Sequence, residues 1–403
     1  MRRGGLPEGD LGPLLRPFLH RTPRPHQDTA RGGAGAGARR RPLRQGPHRA
    51  LGRPHPARPQ RRGAVRPPRS DPLNDDWRIY EGTGSPHDGI DRLPPALSWR
   101  RFEGEVPGDA VPPPEWRPGD RERARHFLPN QTTVDLTNAA LYLRRPLLVT
   151  GQAGVGKSTL ALSIAHELGL GPVLRWPITS RSSLKQGLYT YDAIGRLHDV
   201  NLREQAAQSD IGRYLTLGPL GTALLPRERP RVLLIDEIDK SDIDLPNDLL
   251  TIFEEGEFDI PELVRVAPDR PRVQVTTADG AGRRVSVSGG RVRCAAFPVI
   301  VLTSNGEREF PPAFLRRCVP LTISPPTREQ LANIVRARLG EEMENTGEDL
   351  LARFVERQQN GRELATDQLL NAVYFRFEAA RRQGTCIEDV AEKLIEHLRT
   401  ATD

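Results

Sequence analysis

The sequence predicts an α/β fold, with short apolar strands alternating with helices, followed by a small domain that is wholly helical. Three stretches carry this expectation. Residues 146–159 read P-L-L-V-T-G-Q-A-G-V-G-K-S-T, an apolar run feeding a glycine-rich turn that leads directly into the helix-forming residues 160–168. Residues 231–237 read R-V-L-L-I-D-E, an apolar strand that ends in two acids. Beyond Pro325 and Pro326 the apolar residues recur at helical spacing throughout.

The glycine-rich turn has the order a phosphate-binding loop needs. Gly151, Gly154 and Gly156 allow positive φ and close backbone approach, so that successive N–H groups can point at a triphosphate. The helix starting near Lys157 adds its dipole and unpaired N–H groups at the same place. Gly151 with Gly156, Lys157 and Ser158 satisfies G-x-x-x-x-G-K-[ST]. The candidate nucleotide-binding set is therefore Gly151, Gln152, Ala153, Gly154, Val155, Gly156, Lys157, Ser158 and Thr159. The plainer alternative is a glycine turn ahead of an ordinary helix. Phosphoryl transfer also needs a metal ligand and a way to activate water. Asp236 is placed to join the Ser158 hydroxyl around Mg²⁺, and Glu237 to polarise the attacking water; a pair of acids at a solvated strand end is the alternative. Asp239, Lys240, Asp242 and Asp244, which follow at once, read as a solvated charged loop.

Taken in order, residues 1–70 hold 17 Arg, no Lys and 3 acids, a net of +14, and are rich in Gly and Pro. They cannot bury enough apolar surface to offset the entropy of ordering and are expected to be disordered. A polyanion-binding arm is the functional reading; an unstructured extension or a start codon set too far upstream are the plain ones. Residues 71–125 mix Trp77, Tyr80, Trp99, Phe102 and Trp116 with prolines, which suggests an extended segment packed on another domain or a partner-binding segment. Leu136, Ala139, Ala140 and Leu143 predict a helix over 132–143. Further strands are expected at 172–176, 231–236, 298–303 and 319–323, and a helix at 246–255. Val273 and Val275 answer Val285 and Val287 across A-D-G-A-G, the pattern of a hairpin. Thr327 and Gln330 form a capping box ahead of a helix stopped by Gly340. Three more helices follow near 349–359, 366–380 and 387–398.

Outside the tail the balance is 42 basic against 49 acidic residues, so the folded part is mildly acidic, and nucleic acid is an unfavoured partner. Cys294, Cys318 and Cys386 have neither metal-site nor disulfide-framework spacing, and no apolar run approaches membrane-spanning length. Reduced thiols, no membrane span and a cytoplasmic location are the expectation.

Together with I-D-E-I-D-K at 235–240, L-T-S-N at 302–305 and P-A-F-L-R-R-C at 312–318, the loop resembles that of the AAA+ ATPases. The segment N-D-L-L-T-I-F-E-E-G-E-F at 247–258, with a hairpin before L-T-S-N, is similar to the MoxR-like branch. The resemblance covers roughly residues 125–400. It implies a P-loop NTPase with a three-layer α/β/α core and parallel sheet over residues 126–325, then a helical lid domain over 326–403, binding ATP and Mg²⁺. It further implies that Asn305 is a sensor holding the lytic water or γ-phosphate. Arg317, with Arg316 as alternate, would be an arginine finger reaching a neighbouring subunit, hence a homo-oligomer, a hexameric ring by resemblance. The implied client is a protein with a von Willebrand factor A-type domain. Tyr189, Tyr191 and Ile194 stand where that branch contacts its client, or are simply core aromatics and their neighbour. One departure is plain: the branch carries an arginine at the third lid helix, where this chain reads L-A-T-D-Q-L-L at 364–370, with Arg362 the nearest basic residue. V-S-G-G at 287–290 resembles the signature of ABC-type ATPases but follows the Asp-Glu strand, and reads as turn chemistry. The rival functions are a motor subunit of a restriction-type nucleic-acid complex and a nucleotide switch or scaffold in a bacterial defence system.

Overall fold

The computed structural model describes residues 77–108, 112–202, 210–280, 282–359 and 364–381. The expectations for residues 1–70, for Arg362, for Cys386 and for a helix at 387–398 lie outside the described residues. Helices α1 (Pro118–Arg125) and α2 (Gln131–Leu143) precede strand β1 (Leu147–Thr150). Helix α3 (Lys157–Glu167) follows the glycine loop, and strand β2 (Leu174–Pro177) comes next. The chain continues through α4 (Leu184–Leu188), β3 (Tyr189–Tyr191), α5 (Ala193–Leu202), β4 (Leu215–Leu217), α6 (Pro219–Ala223) and β5 (Val232–Asp236). Then come α7 (Leu245–Glu255), β6 (Glu257–Asp259), α8 (Pro261–Val264), β7 (Arg272–Thr276), β8 (Arg284–Ser288) and β9 (Arg291–Arg293). Strand β10 (Val299–Ser304), α9 (Pro312–Leu315) and β11 (Val319–Thr322) complete the core, and α10 (Arg328–Leu339), α11 (Glu341–Thr346), α12 (Glu348–Gln359) and α13 (Thr366–Arg381) follow.

Five strands form one sheet in the order β11-β1-β10-β5-β2, every neighbour parallel. The period-two alternation of the central strands β1, β5 and β10 sorts their side chains onto two covered faces, while in the edge strands β2 and β11 alternate residues are exposed. Leu147 and Val149 of β1, Val232 and Leu234 of β5 and Val301 of β10 pack with Leu160, Ala161 and Ile164 of α3. Leu148, Leu233, Ile235, Ile300 and Leu302 turn the other way and pack with Leu220 of α6 and Leu249 and Phe253 of α7. The result is the three-layer α/β/α core. The order places β10 between β1 and β5, so the ends of the three strands that carry the candidate site lie side by side.

The aromatic-and-proline segment, expected as extended, packs on this core as a strap. Asn138 of α2 accepts from the backbone N–H groups of Ile79 and Tyr80 at 2.7 and 2.9 Å and donates to the Tyr80 carbonyl. Glu167, at the end of α3, is fully buried and accepts from the N–H groups of Glu81, Gly82 and Gly84 at 2.6, 2.9 and 2.9 Å. The segment is not extended to its end: Pro118, at the first turn where a missing N–H costs nothing, opens α1.

The valine hairpin pairs Val273 with Val287 and Val275 with Val285, as the alternation requires. It belongs to a second, six-stranded sheet, β3-β4-β7-β8-β9-β6, which the sequence does not announce. Gly289 and Gly290, both at positive φ, make the turn between β8 and β9. The helices after Pro326 build their own apolar cluster around Leu331, Val335, Phe354, Leu369 and Val373. The Thr327 capping box forms on both sides, and α10 stops at Gly340, whose φ is +97°. Among the described residues no helix is long and apolar enough to cross a membrane.

Candidate functional site

A cavity of about 730 Å³ opens at the C-terminal ends of β1, β5 and β10, walled on one side by the core and on the other by α10 and α13. Ala153, Gly154, Val155, Gly156, Lys157, Ser158 and Thr159 line its floor. Gly156 caps α3 with φ +96°, and Gly154, at φ +75°, lies against Ala365 so closely that a Cβ would overlap it. Both positions require glycine on conformational grounds. At the first residue of α13 the backbone N–H of Thr366 donates to the Gly154 carbonyl at 3.4 Å, linking the helical layer to the loop.

Lys157 is buried, and its ammonium donates at 2.7 Å each to the carbonyls of Gly151 and Gln152 and to Asn305 Oδ1. Thus the loop lysine and the end of β10 are joined directly. Asp236 Oδ1 accepts from the Ser158 hydroxyl at 2.8 Å and from the Thr303 hydroxyl at 2.6 Å. Thr303 in turn accepts from the Glu237 N–H at 2.9 Å. Thr303 is the residue that sequence reasoning missed: only the pairing of β10 with β5, which sets Leu302 beside Ile235, brings its hydroxyl to Asp236.

Glu237 lines the cavity in the left-handed region, φ +60° and ψ +51°, one of two non-glycine residues at positive φ among those described. Such a conformation costs on the order of 1–3 kcal/mol and persists where the surroundings over-determine it. Its carboxylate is 2.9 Å from the Lys240 ammonium, and this hydrogen bond is the main cause of a raised Lys240 pKa. The charged run after Glu237 is not uniformly solvated, as the sequence suggested. Asp239 is buried, and its Oδ2 accepts from the N–H groups of Asn305 and Glu307 at 2.9 and 3.2 Å. The chain makes a 3₁₀ turn at Ile238–Lys240, which carries Asp239 inward to fix the loop after β10. Asp242 and Asp244 do remain at the surface.

Arg317 does not line the cavity. It lies just after α9, where Nε donates to Glu254 Oε1 at 2.6 Å and Nη1 to the Ala313 carbonyl at 3.2 Å. Arg316, the alternate, has its carbonyl held by Arg145 at 3.0 Å. On the opposite wall two arginines not singled out from the sequence, Arg123 of α1 and Arg338 in the last turn of α10, line the cavity. Packing around Arg338 lowers its pKa, the Arg123 charge adds to that, and Asp367 opposes it. Of the three client-contact candidates, Tyr189 is buried and donates to Glu262 at 2.9 Å, and Tyr191 packs against the core edge. Ile194 is 83 % exposed.

A strand-loop-helix with a lysine, a hydroxyl and a strand-end carboxylate gathered at its mouth, on an all-parallel sheet with a strand between the loop strand and the carboxylate strand, is the arrangement of a P-loop NTPase of the AAA+ class. Residues 146–318 match the AAA domain of the dynein-related subfamily. Over the matched residues the chain thus has the fold of an AAA+ P-loop NTPase. Among solved structures it is similar to domain III of the Thermotoga maritima replication initiation protein DnaA, at 15 % identity over 71 % of this chain and 98 % of that chain, with a TM-score of 0.36. A search of curated proteins returns no match.

Proposed function

We propose that the protein is a Mg²⁺-dependent ATPase of the MoxR-like branch, which assembles into a homo-oligomeric, hexameric ring in the cytoplasm and uses hydrolysis to remodel a protein partner bearing a von Willebrand factor A-type domain. The observation that carries the catalytic part is a pair of hydrogen-bonded groups lining one cavity at the mouth of the glycine loop, Lys157 with Asn305, and Ser158 and Thr303 with Asp236. The donor set suits the metal: a hydroxyl and a carboxylate oxygen 2.8 Å apart are hard ligands, of which Mg²⁺ takes one or two from protein and the rest from water and phosphate. Ser158 and Asp236 would hold the ion, which would supply neutralisation of the charge that develops on the transferring phosphoryl group.

Lys157 already donates to three acceptors, so on binding ATP it exchanges a carbonyl for a phosphate oxygen without losing a bond. Glu237 serves as the base that orients water, once its carboxylate turns from Lys240. Asn305, tethered to Lys157 on its side chain and to Asp239 on its backbone, holds the γ-phosphate side of the site. Arg317 acts on the nucleotide of a neighbouring subunit, in keeping with its place outside its own cavity. Ile194, and Tyr191 beside it, form the client contact.

Lys157→Ala should abolish binding of ATP. Glu237→Gln should bind ATP normally and lose about 10²- to 10⁴-fold in turnover, the usual weight of a general base. Normal turnover in Glu237→Gln would sink the base assignment. Turnover that rises with DNA rather than with the von Willebrand-type partner would move the reading to a nucleic-acid motor.

A further inference from the structure

We propose that Glu254 is the positioning residue for Arg317, and that Arg100 of the N-terminal strap positions Glu254 in turn, so that the strap belongs to the site shared between subunits. The inference rests on Arg317 acting in trans, as proposed above.

Arg317 and Glu254 alone would make an ordinary surface pair, with side chains 36 % and 47 % exposed, and such pairs hold their partners weakly. What distinguishes this one is the second oxygen. Glu254 Oε1 takes Arg317 Nε at 2.6 Å, while Oε2 lies 3.6 Å from Arg100 Nη1. Arg100 is an anchored cation. Its side chain is buried, Nη1 donates to the Phe253 carbonyl at 2.6 Å and Nη2 to the Arg144 carbonyl, and its guanidinium lies over the rings of Phe102 and Phe297 at 5.3 and 4.9 Å. The carboxylate is thus fixed between a rigid arginine below and the candidate finger above.

The same geometry orients the finger. Nε is taken by Glu254 and one Nη1 hydrogen by the Ala313 carbonyl, leaving the Nη1–Nη2 edge of the fork for a neighbour's phosphate oxygens. Arg145 adds a hold on the backbone by donating to the Arg316 carbonyl. A guanidinium held by one edge loses less rotamer freedom when the other edge engages, which favours the transition state in which the contact forms.

The test uses the full chain. Glu254→Gln, Arg317→Ala and Glu237→Gln are assayed singly and as equal mixtures, reading kcat, KM for ATP and assembly by sedimentation. Glu254→Gln should lower kcat about tenfold, short of the roughly 10³- to 10⁵-fold weight of a finger, with KM and assembly unchanged. Mixed with Glu237→Gln subunits, which keep an oriented Arg317 but lack the base, Glu254→Gln subunits should regain turnover. A folding defect would not be repaired in this way. No recovery in that mixture, while the Arg317→Ala and Glu237→Gln mixture does recover, overturns the role of Glu254. No recovery in either mixture with assembly intact overturns the trans action of Arg317 itself. Should Glu254→Gln fail to assemble, Glu254→Asp, which keeps the charge but draws the carboxylate back by one methylene, should show the same loss and the same rescue; wild-type kcat in it overturns the proposal. Arg100→Lys, which keeps the charge and loses the fork, should lower kcat in the same pattern, and a wild-type value there removes the strap from the site.

Discussion

Replacing Glu167 by Gln should release the strap from the core at a cost that can be worked out bond by bond. Oε1 accepts from the N–H groups of Glu81 and Gly82 and lies 3.4 Å from His87 Nε2, and Oε2 accepts from the Gly84 N–H and, at 3.5 Å, the Thr83 hydroxyl. The amide's NH₂ is least costly on the Oε2 side, because the Thr83 hydroxyl can rotate to accept. Even so, the buried Gly84 N–H loses its acceptor, at about 1–3 kcal/mol. The two backbone bonds that remain on the oxygen fall from charge-assisted to neutral strength, about 1 kcal/mol each. The sum is a destabilisation of about 3–5 kcal/mol, in a variant that differs by one atom type and no volume. Trp77, Trp99 and Trp116 all lie in or beside the strap, so urea unfolding followed by tryptophan fluorescence reports its release ahead of the core. A loss of less than about 1 kcal/mol, with the fluorescence transition unmoved, would refute the view that this carboxylate locks the segment.

Thr303→Val keeps the shape but removes the hydroxyl between Asp236 and the Glu237 N–H, and should lower kcat about tenfold or more by orphaning that N–H; Thr303→Ser should restore it, and an unchanged kcat in the valine variant would overturn the role given to Thr303. Asp279→Ala strands Arg231, whose guanidinium it grips at 2.8 and 3.0 Å with both side chains buried, and should destabilise the protein by about 3–5 kcal/mol in urea unfolding. Replacing both partners by Met and Leu should recover most of that loss, and a single-variant loss below about 1 kcal/mol would contradict the burial of the pair.

What could be read from the sequence is what is local in the chain. The loop from Gly151 to Thr159, the acids after β5 and the capping box at Thr327 each occupy a few consecutive residues whose backbone demands are visible in their types. The central strands β1, β5 and β10 were legible because each is an apolar run covered on both faces, and the edge strands β2 and β11 because alternate residues are apolar and buried. The strap's packing was foreshadowed by aromatics among prolines, but not its lock, because Glu167 meets residues 81–84 only across the fold. Thr303 stayed hidden for the same reason: a threonine in an apolar strand looks like β-propensity until the register beside β5 is known. Asp239 was misread because a run of charges is normally solvated, and only the 3₁₀ turn carries it inward to the N–H groups of Asn305 and Glu307. The second sheet joins strands far apart in sequence, several of them three residues long, too short for alternation to declare.

The strap joins two parts of the site that the chain otherwise keeps separate. Its residues 81–84 are clasped by Glu167 at the far end of the helix that begins with Lys157, and Arg100, further along the same segment, reaches Glu254 beside Arg317. One end therefore touches the element proposed to hold the phosphates, and the other touches the residue proposed to act on a neighbour's phosphates. If the strap is a connector, loosening only its first clamp should weaken its second. Glu167→Gln should then lower kcat in assembled protein with ATP affinity retained, and mixing with Glu237→Gln subunits should restore it, although Glu167 lies outside the cavity. A Glu167→Gln protein whose strap is released in the fluorescence assay but whose kcat is unchanged would show instead that Arg100 holds its place unaided, through Phe253, Arg144 and the two phenylalanine rings.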